Sequence, residues 1–297
     1  MSPSSPEPTS AISRIAELPA VAATAVAIAH ERAVESARGD RLFADPLAAG
    51  FLAAATPPGA TAPLPLGEQV PLMHGYVALR TRCFDDELLA AARGTGVRQL
   101  VLLAAGLDTR AFRLAWPRGT RLFELDVPTL LAVKEPLLRA AGAVAACDRT
   151  TLATDLAGTG WPAALTAAGF DASVPTAWLA EGLLMYLAPD ENDRLLETVG
   201  ALSAPGSVLL AEHVPAAGTR PPESDADGHV LDAGGASWRS TLDDPLAWLD
   251  AHGWAAEAID ARALATAVDR PLPAVLDRAA VGDACAWLLR ARRRAVS

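Results

Sequence analysis

Gln99-Leu-Val-Leu-Leu-Ala-Ala-Gly106-Leu-Asp108-Thr-Arg110 is a short unbroken apolar run that ends in small residues and then an acid. Such a run, bounded by turn signals, reads as a strand over Leu100 to Ala104 that is buried on both faces. That kind of strand belongs in a parallel sheet covered by helices. The same alternation continues downstream. Strands are expected at Thr120 to Leu125, Ala143 to Cys147, Thr176 to Ala180 and Ser207 to Ala211. The helices between them fall at about 110–115, 128–141, 160–168 and 190–203. A helix near Pro245 to His252 and strands at Ala255 to Ile259 and Ala284 to Ala291 complete an α/β, doubly wound, mostly parallel sheet.

Upstream of this unit the pattern is helical. One helix is expected from Ile12 to about Ala37, and a second from Asp45-Pro46 to Leu52, with Asp45 as N-cap and Pro46 at the first position. Thr56 to Gly67 is a loop by composition, and a third helix runs from about Leu72 to Arg93. The expected organisation is a disordered tail at 1–10, a helical extension or cap at 11–96, and a ligand-binding domain at 97–297. Residues 215–236, rich in Gly, Pro and Asp, read as a lid.

Composition excludes several classes of partner. Of the 297 residues 51% are hydrophobic, enough for a packed core, while a net charge of −10 argues against nucleic acid. The one basic run, Arg290-Ala-Arg-Arg-Arg294, reads as a solvated element end. Cys83, Cys147 and Cys285 form no Cys-x-x-Cys pair, so buried thiols in a reducing compartment are expected, and no metal. No run of roughly 20 apolar residues is present to span a membrane, and the amino terminus lacks signal-peptide character. The expectation is a cytoplasmic monomer or homodimer acting on a small molecule.

In a doubly wound sheet, ligands bind beyond the carboxyl ends of the strands. Gly106 lets the backbone approach a ligand, but the dinucleotide spacing G-x-G-x-x-G is not met, because Ala104 and Thr109 occupy its first and last positions. Asp108 also places a negative charge where a pyrophosphate would sit. A ligand that is cationic at that end suits the turn better, and S-adenosylmethionine carries a sulfonium and an ammonium but no phosphate. About twenty residues further on, Phe123-Glu-Leu-Asp126 offers Glu124 and Asp126 on one face of a strand, either of which could accept from ribose hydroxyls. After the third strand, Asp155 could accept from an adenine amino group while Leu156 packs on the ring.

These segments together resemble the leucine carboxyl methyltransferase family, including its actinobacterial branch. The matching stretches are Arg80 to Asp86, Leu102 to Arg110, Phe123 to Pro128, Asp155-Leu156, Ala180 to Tyr186, and Arg41 to Pro46 near the amino end. The resemblance implies a Rossmann-like class I methyltransferase fold with S-adenosyl-L-methionine as cofactor and S-adenosyl-L-homocysteine as product. It implies that Arg80 holds the cofactor carboxylate, that the Gly106 turn lies against the methionine portion, and that Asp126 binds ribose. Asp155 and Leu156 would then contact adenine, and Glu181 would lie near the methionine end. Ala104 stands where the family often has Gly, and the family's amino-terminal cation has two candidates here, Arg32 and Arg41.

The reaction expected is O-methylation, with a small acid, such as a polyketide or other secondary metabolite, as acceptor. A carboxylate is ionised at neutral pH and needs no general base, whereas a phenol or alcohol does. His213, after the fifth strand, is the best-placed base, and Tyr186 could orient a substrate oxygen. The competing readings are a phenol or hydroxyl methyltransferase, a nicotinamide-dependent oxidoreductase and a non-catalytic cofactor-binding protein.

Overall fold

The computed structural model describes residues 20–55, 75–94, 96–219 and 238–294. The tail at 1–10, the loop from Thr56 to Gly67 and residues 220–236 of the expected lid lie outside the described residues, as do the first turns expected for two amino-terminal helices. The opening strand, β1 (Gln99–Leu103), is buried at all five positions. Its alternation divides the core in two. Leu100 and Leu102 face one layer with Val77, Leu79, Phe84 and Leu88 of the long helix α3 (Tyr76–Gly94). Val101 and Leu103 face the other with Trp161, Leu195, Leu196 and Trp254.

Seven strands form one sheet in the order β3-β2-β1-β4-β5-β7-β6. The further strands are β2 (Arg121–Asp126), β3 (Asp148–Ala153), β4 (Thr176–Ala180), β5 (Val208–His213), β6 (Trp254–Ala258) and β7 (Trp287–Arg293). The first five run parallel, and β7 inserts antiparallel between β5 and β6, pairing His213 with Trp287 and Ala211 with Leu289. This is the doubly wound, mostly parallel Rossmann-like sheet expected from the sequence. Strand order reverses between β1 and β4, so the ligand crevice lies over their carboxyl ends.

Helices α1 (Ala20–Ser36) and α2 (Ala48–Ala55) join α5 (Pro128–Ala140) in a third apolar cluster through Val26, Ala29, Phe51, Leu130 and Val133. Asp45 accepts from the amides of Leu47 and Ala48, so it starts α2 as expected, but the regular turn opens at Ala48 rather than at Pro46. The remaining helices used below are α4 (Arg110–Arg113), α6 (Trp161–Ala167), α7 (Pro189–Ala201) and α8 (Pro245–Ala251).

The third strand differs from its expected place. It occupies Asp148–Ala153, not Ala143 to Cys147, because β3 is an edge strand bonded only to β2 and tolerates polar residues. The apolar run instead lies against α4, where Ala146 N donates to Ala111 O at 2.8 Å. The last strand is shifted too and takes in most of the basic run, with Arg290 held by Glu87 at 2.6 Å and Glu257 at 2.9 Å. Among the described residues, no helix is long and apolar enough to cross a membrane.

Candidate active site at the carboxyl ends of the strands

Beyond β1 the chain turns through Ala104 (φ +54°) and Gly106 (φ +52°), both in the left-handed region that favours glycine. Asp126 at the end of β2 closes this turn, its Oδ2 accepting Gly106 N at 2.5 Å and its Oδ1 accepting Val127 N at 2.7 Å. Burial pushes the Asp126 carboxyl up, with the two amides opposing. Each oxygen keeps a lone pair for a further donor. Thr154 N donates to Asp126 O at 2.8 Å, which sets exposed Asp155 and buried Leu156 beside the end of β2. Asp155 also closes a local turn by accepting Ala157 N at 3.0 Å.

On the other side of the turn lies a buried charge cluster. At its centre Arg110, fully enclosed, places Nε 2.7 Å from Asp85 Oδ1 and Nη1 2.5 Å from Asp108 Oδ2 and 2.6 Å from Glu181 Oε2. Its Nη2 is buried and has no partner among the described residues. Arg113 takes the rest of Asp85, at 2.5 Å. Arg80, on α3, lies 2.8 Å from Glu181 and 2.7 Å from Glu212. Glu212 also accepts Tyr76 Oη at 2.5 Å and Gly182 N at 2.7 Å.

The electrostatics follow from these contacts. Burial opposes ionisation of Asp108, yet Arg110 and then Arg32 outweigh it and hold the carboxyl down to about 2. Glu181 is likewise held low by Arg110 and Arg80 against the cost of burial. Burial and the facing Glu212 push the Tyr76 phenol well above its ordinary range, so it remains a donor.

Of the sequence-predicted residues, the structure brings Arg80, Asp108 and Glu181 into this cluster. Ala104, Gly106, Asp126, Asp155 and Leu156 fall along the adjoining turn and strand ends. Arg32 is buried beside them, with Nη2 donating to Leu107 O at 2.6 Å and Nε 3.1 Å from Asp45, whereas Arg41 is exposed. Arg82 points outward to Asp86 at 2.7 Å. Glu124 is not brought to the site: it is fully enclosed between Lys134 at 2.6 Å and Arg149 at 2.8 Å.

His213 alternates with Glu212 on β5 and so faces the opposite layer, edge-on to Trp248 of α8 at 6.4 Å. Burial lowers it to about 4, and its Nδ1 accepts Val214 N. Tyr186, in the turn of 3-10 helix Leu184–Tyr186, is pushed up by burial, and its hydroxyl meets Trp238 and Thr24. Trp254 is core, while Trp238 and Trp248 are half-buried.

Five residues escaped the sequence reading: Tyr76, Asp85, Arg110, Arg113 and Glu212. Asp85 and Arg110 lie within the family-like stretches, and the signal was available, since charged residues inside apolar segments must find buried partners. Glu212 and His213 are adjacent at the end of one buried strand, and the strand's sequence does not say which of them faces the ligand crevice.

The donor set fits a small amphoteric cation. An acid at the end of β2 can accept from hydroxyls, a left-handed turn brings backbone close, and Arg110 Nη2 is a buried donor still lacking an acceptor. Fold and site define an S-adenosyl-L-methionine-dependent methyltransferase. Known proteins place it more closely. The leucine carboxyl methyltransferase model matches residues 25–200. A Parafrankia protein named, by inference, an S-adenosyl-L-methionine-dependent methyltransferase is 47% identical, covering 86% of this chain and 83% of its own. A Streptomyces coelicolor protein with the same inferred activity is 47% identical over 84% of this chain and 88% of its own. Among solved structures, a duf574 family protein from Streptomyces avermitilis aligns with TM-score 0.53 at 14% identity, covering 77% of this chain and 88% of its own. The chain belongs to the leucine carboxyl methyltransferase family.

Proposed function

We propose that this enzyme transfers a methyl group to the carboxylate of a small organic acid. The observation that carries this reading is the absence of a poised general base among the described residues at the strand ends. Asp85, Asp108, Glu181 and Glu212 are committed to arginines, and His213 is buried on the other layer beside Trp248. Both tyrosines near the cluster stay protonated through burial. A carboxylic acid of pKa about 4 arrives already ionised and needs no proton removed.

In this reading Asp126 accepts the ribose hydroxyls, Asp155 and Leu156 hold the adenine, and the Ala104 to Gly106 turn lies along the methionine portion. Arg80, backed by Glu181 and Glu212, and Arg110 through its open Nη2, present donors for the α-carboxylate. The bound cofactor supplies an electrophilic methyl group. The chain's part is to align the acceptor oxygen about 3 Å from that carbon and to keep water out. In the same reading Tyr186, kept protonated by burial, donates to an acceptor oxygen rather than deprotonating it.

A labelled-methyl screen of small carboxylic acids and phenols tests the reading. Label should enter the acids, and mild alkaline hydrolysis should release it as methanol. Alkali-resistant label on a phenol would instead establish a hydroxyl acceptor.

A further inference from the structure

We propose that Glu212 sets the charge of the cofactor pocket and thereby makes the site prefer the sulfonium cofactor over its thioether product. The inference rests on the placing of S-adenosylmethionine at this cluster. Glu212 is the penultimate residue of β5, is 1% exposed, and ties three elements together: Tyr76 and Arg80 of α3, Gly182 after β4, and its own strand. It is a positioning residue, acting through Arg80 and the turn that carries Glu181.

The charges in the cluster do not balance. Three guanidiniums, Arg80, Arg110 and Arg113, face four carboxylates, Asp85, Asp108, Glu181 and Glu212. The neighbouring Arg32 and Asp45 cancel each other, and the Tyr76 phenol is neutral. One negative charge therefore remains in this largely buried cluster, and Asp126, which has no cation paired to it, does not offset it. An uncompensated buried charge is costly in the free protein, which makes a cationic ligand its natural complement. The cofactor carries sulfonium, ammonium and carboxylate, hence one net positive charge. After methyl transfer the sulfur is neutral and the net charge is zero. The excess carboxylate favours the first state and gives the second no matching attraction.

Glu212→Gln isolates the charge from the geometry. The amide oxygen can still accept from Arg80 and Gly182, and the amide nitrogen can donate to Tyr76 Oη. The cluster becomes balanced. Calorimetric titration of the folded protein with S-adenosylmethionine and, separately, S-adenosylhomocysteine reads the outcome. One unit charge acting over ~10 Å at an effective dielectric near 20 is worth about tenfold in affinity. Glu212→Gln should weaken the sulfonium ligand about tenfold and the thioether by less than about twofold.

Equal weakening of both ligands, or no change in either, overturns the proposal. Asp126→Ala separates the two ways of failing. If it weakens both ligands while Glu212→Gln leaves their ratio unchanged, the pocket stands and the charge argument falls. If Asp126→Ala changes neither, the placing of the cofactor falls and this inference with it. Glu124→Gln removes a carboxylate from the other buried cluster and should leave the ratio untouched.

Discussion

Two buried charge clusters flank β2, and they differ in kind. One joins Glu124 to Lys134, Arg149 and, through Arg149, Glu135. Two cations meet two anions, and the cluster bolts α5 to the edge of the sheet. The other gathers Arg80, Arg110, Arg113, Asp85, Asp108, Glu181 and Glu212 at the strand ends, and it is left with an excess acid and with arginine nitrogens, Arg110 Nη2 and Arg113 Nε, that have no acceptor among the described residues. Burial and short ion pairs are common to both, so neither property marks a site. Imbalance, incomplete satisfaction and position at the switch point of the sheet do.

The strongest way to break this comparison is to remove the central cation of each cluster. Arg110→Ala strands Asp108, leaves Asp85 to Arg113 alone and Glu181 to Arg80 alone, and should cost ~3–5 kcal/mol in urea denaturation and abolish calorimetric binding of S-adenosylmethionine. Lys134→Ala leaves Glu124 with Arg149 and should also destabilise. Its folded fraction, however, should keep cofactor affinity within about threefold. Loss of binding in both variants would show that the clusters act as one.

A second difference is between the two faces of β5. Glu212 belongs to the charged layer and His213 to the apolar one. In the folded state His213 titrates at about 4 against 6.5 for the free side chain, because burial disfavours its charged form. The neutral imidazole is thus the native form. Its contribution is present above pH 6.5 and is lost as pH falls towards 4, amounting to about 3 kcal/mol. His213→Leu should flatten that part of the stability profile while methyl transfer at neutral pH persists. A variant that stayed folded but lost turnover would return His213 to the chemistry.

The fold was legible because β1, β4 and β5 are continuous apolar runs that only a doubly covered sheet can bury. β3 was misplaced because an edge strand needs little apolar sequence, and Asp148-Arg-Thr-Thr reads as loop without its neighbour. The turn, Asp126 and Asp155 were legible from their order after successive strands. From the strand pattern alone the choice between Glu124 and Asp126 was not, and the family resemblance was what favoured Asp126. Both project from β2 with the same alternation, and only the distant Lys134 and Arg149 decide that Glu124 is consumed. Long-range pairing of this sort leaves no local signature of the partner: a charge inside an apolar segment, as at Asp85 and Glu212, requires a buried partner without saying which.

That choice gives a third prediction of smaller size. Asp126→Ala should weaken S-adenosylmethionine by ~1–3 kcal/mol, the value of hydrogen bonds to a charged acceptor. Glu124→Gln should leave affinity alone and lower stability by ~1–3 kcal/mol, since Lys134 then loses its carboxylate partner. Reversal of these two results would exchange the roles of the two acids.

The smallest effect concerns Ala104, the alanine that holds a left-handed conformation at the turn separating the clusters. A side chain there costs roughly 1–2 kcal/mol relative to glycine. Replacing it with glycine gives part of this back, because the unfolded chain gains freedom worth ~0.4–1 kcal/mol. The methyl group also packs against the layer containing Val101 and Leu103, and that contact would be lost. With backbone relief dominant, Ala104→Gly should raise stability by ~0.5 kcal/mol, about 1 °C in melting temperature for a chain of this size, with cofactor affinity unchanged. A fall in melting temperature would mean that the packing of one methyl group outweighs the strain. The turn would then be held in its left-handed form by the apolar layer beneath it rather than by Asp126 above.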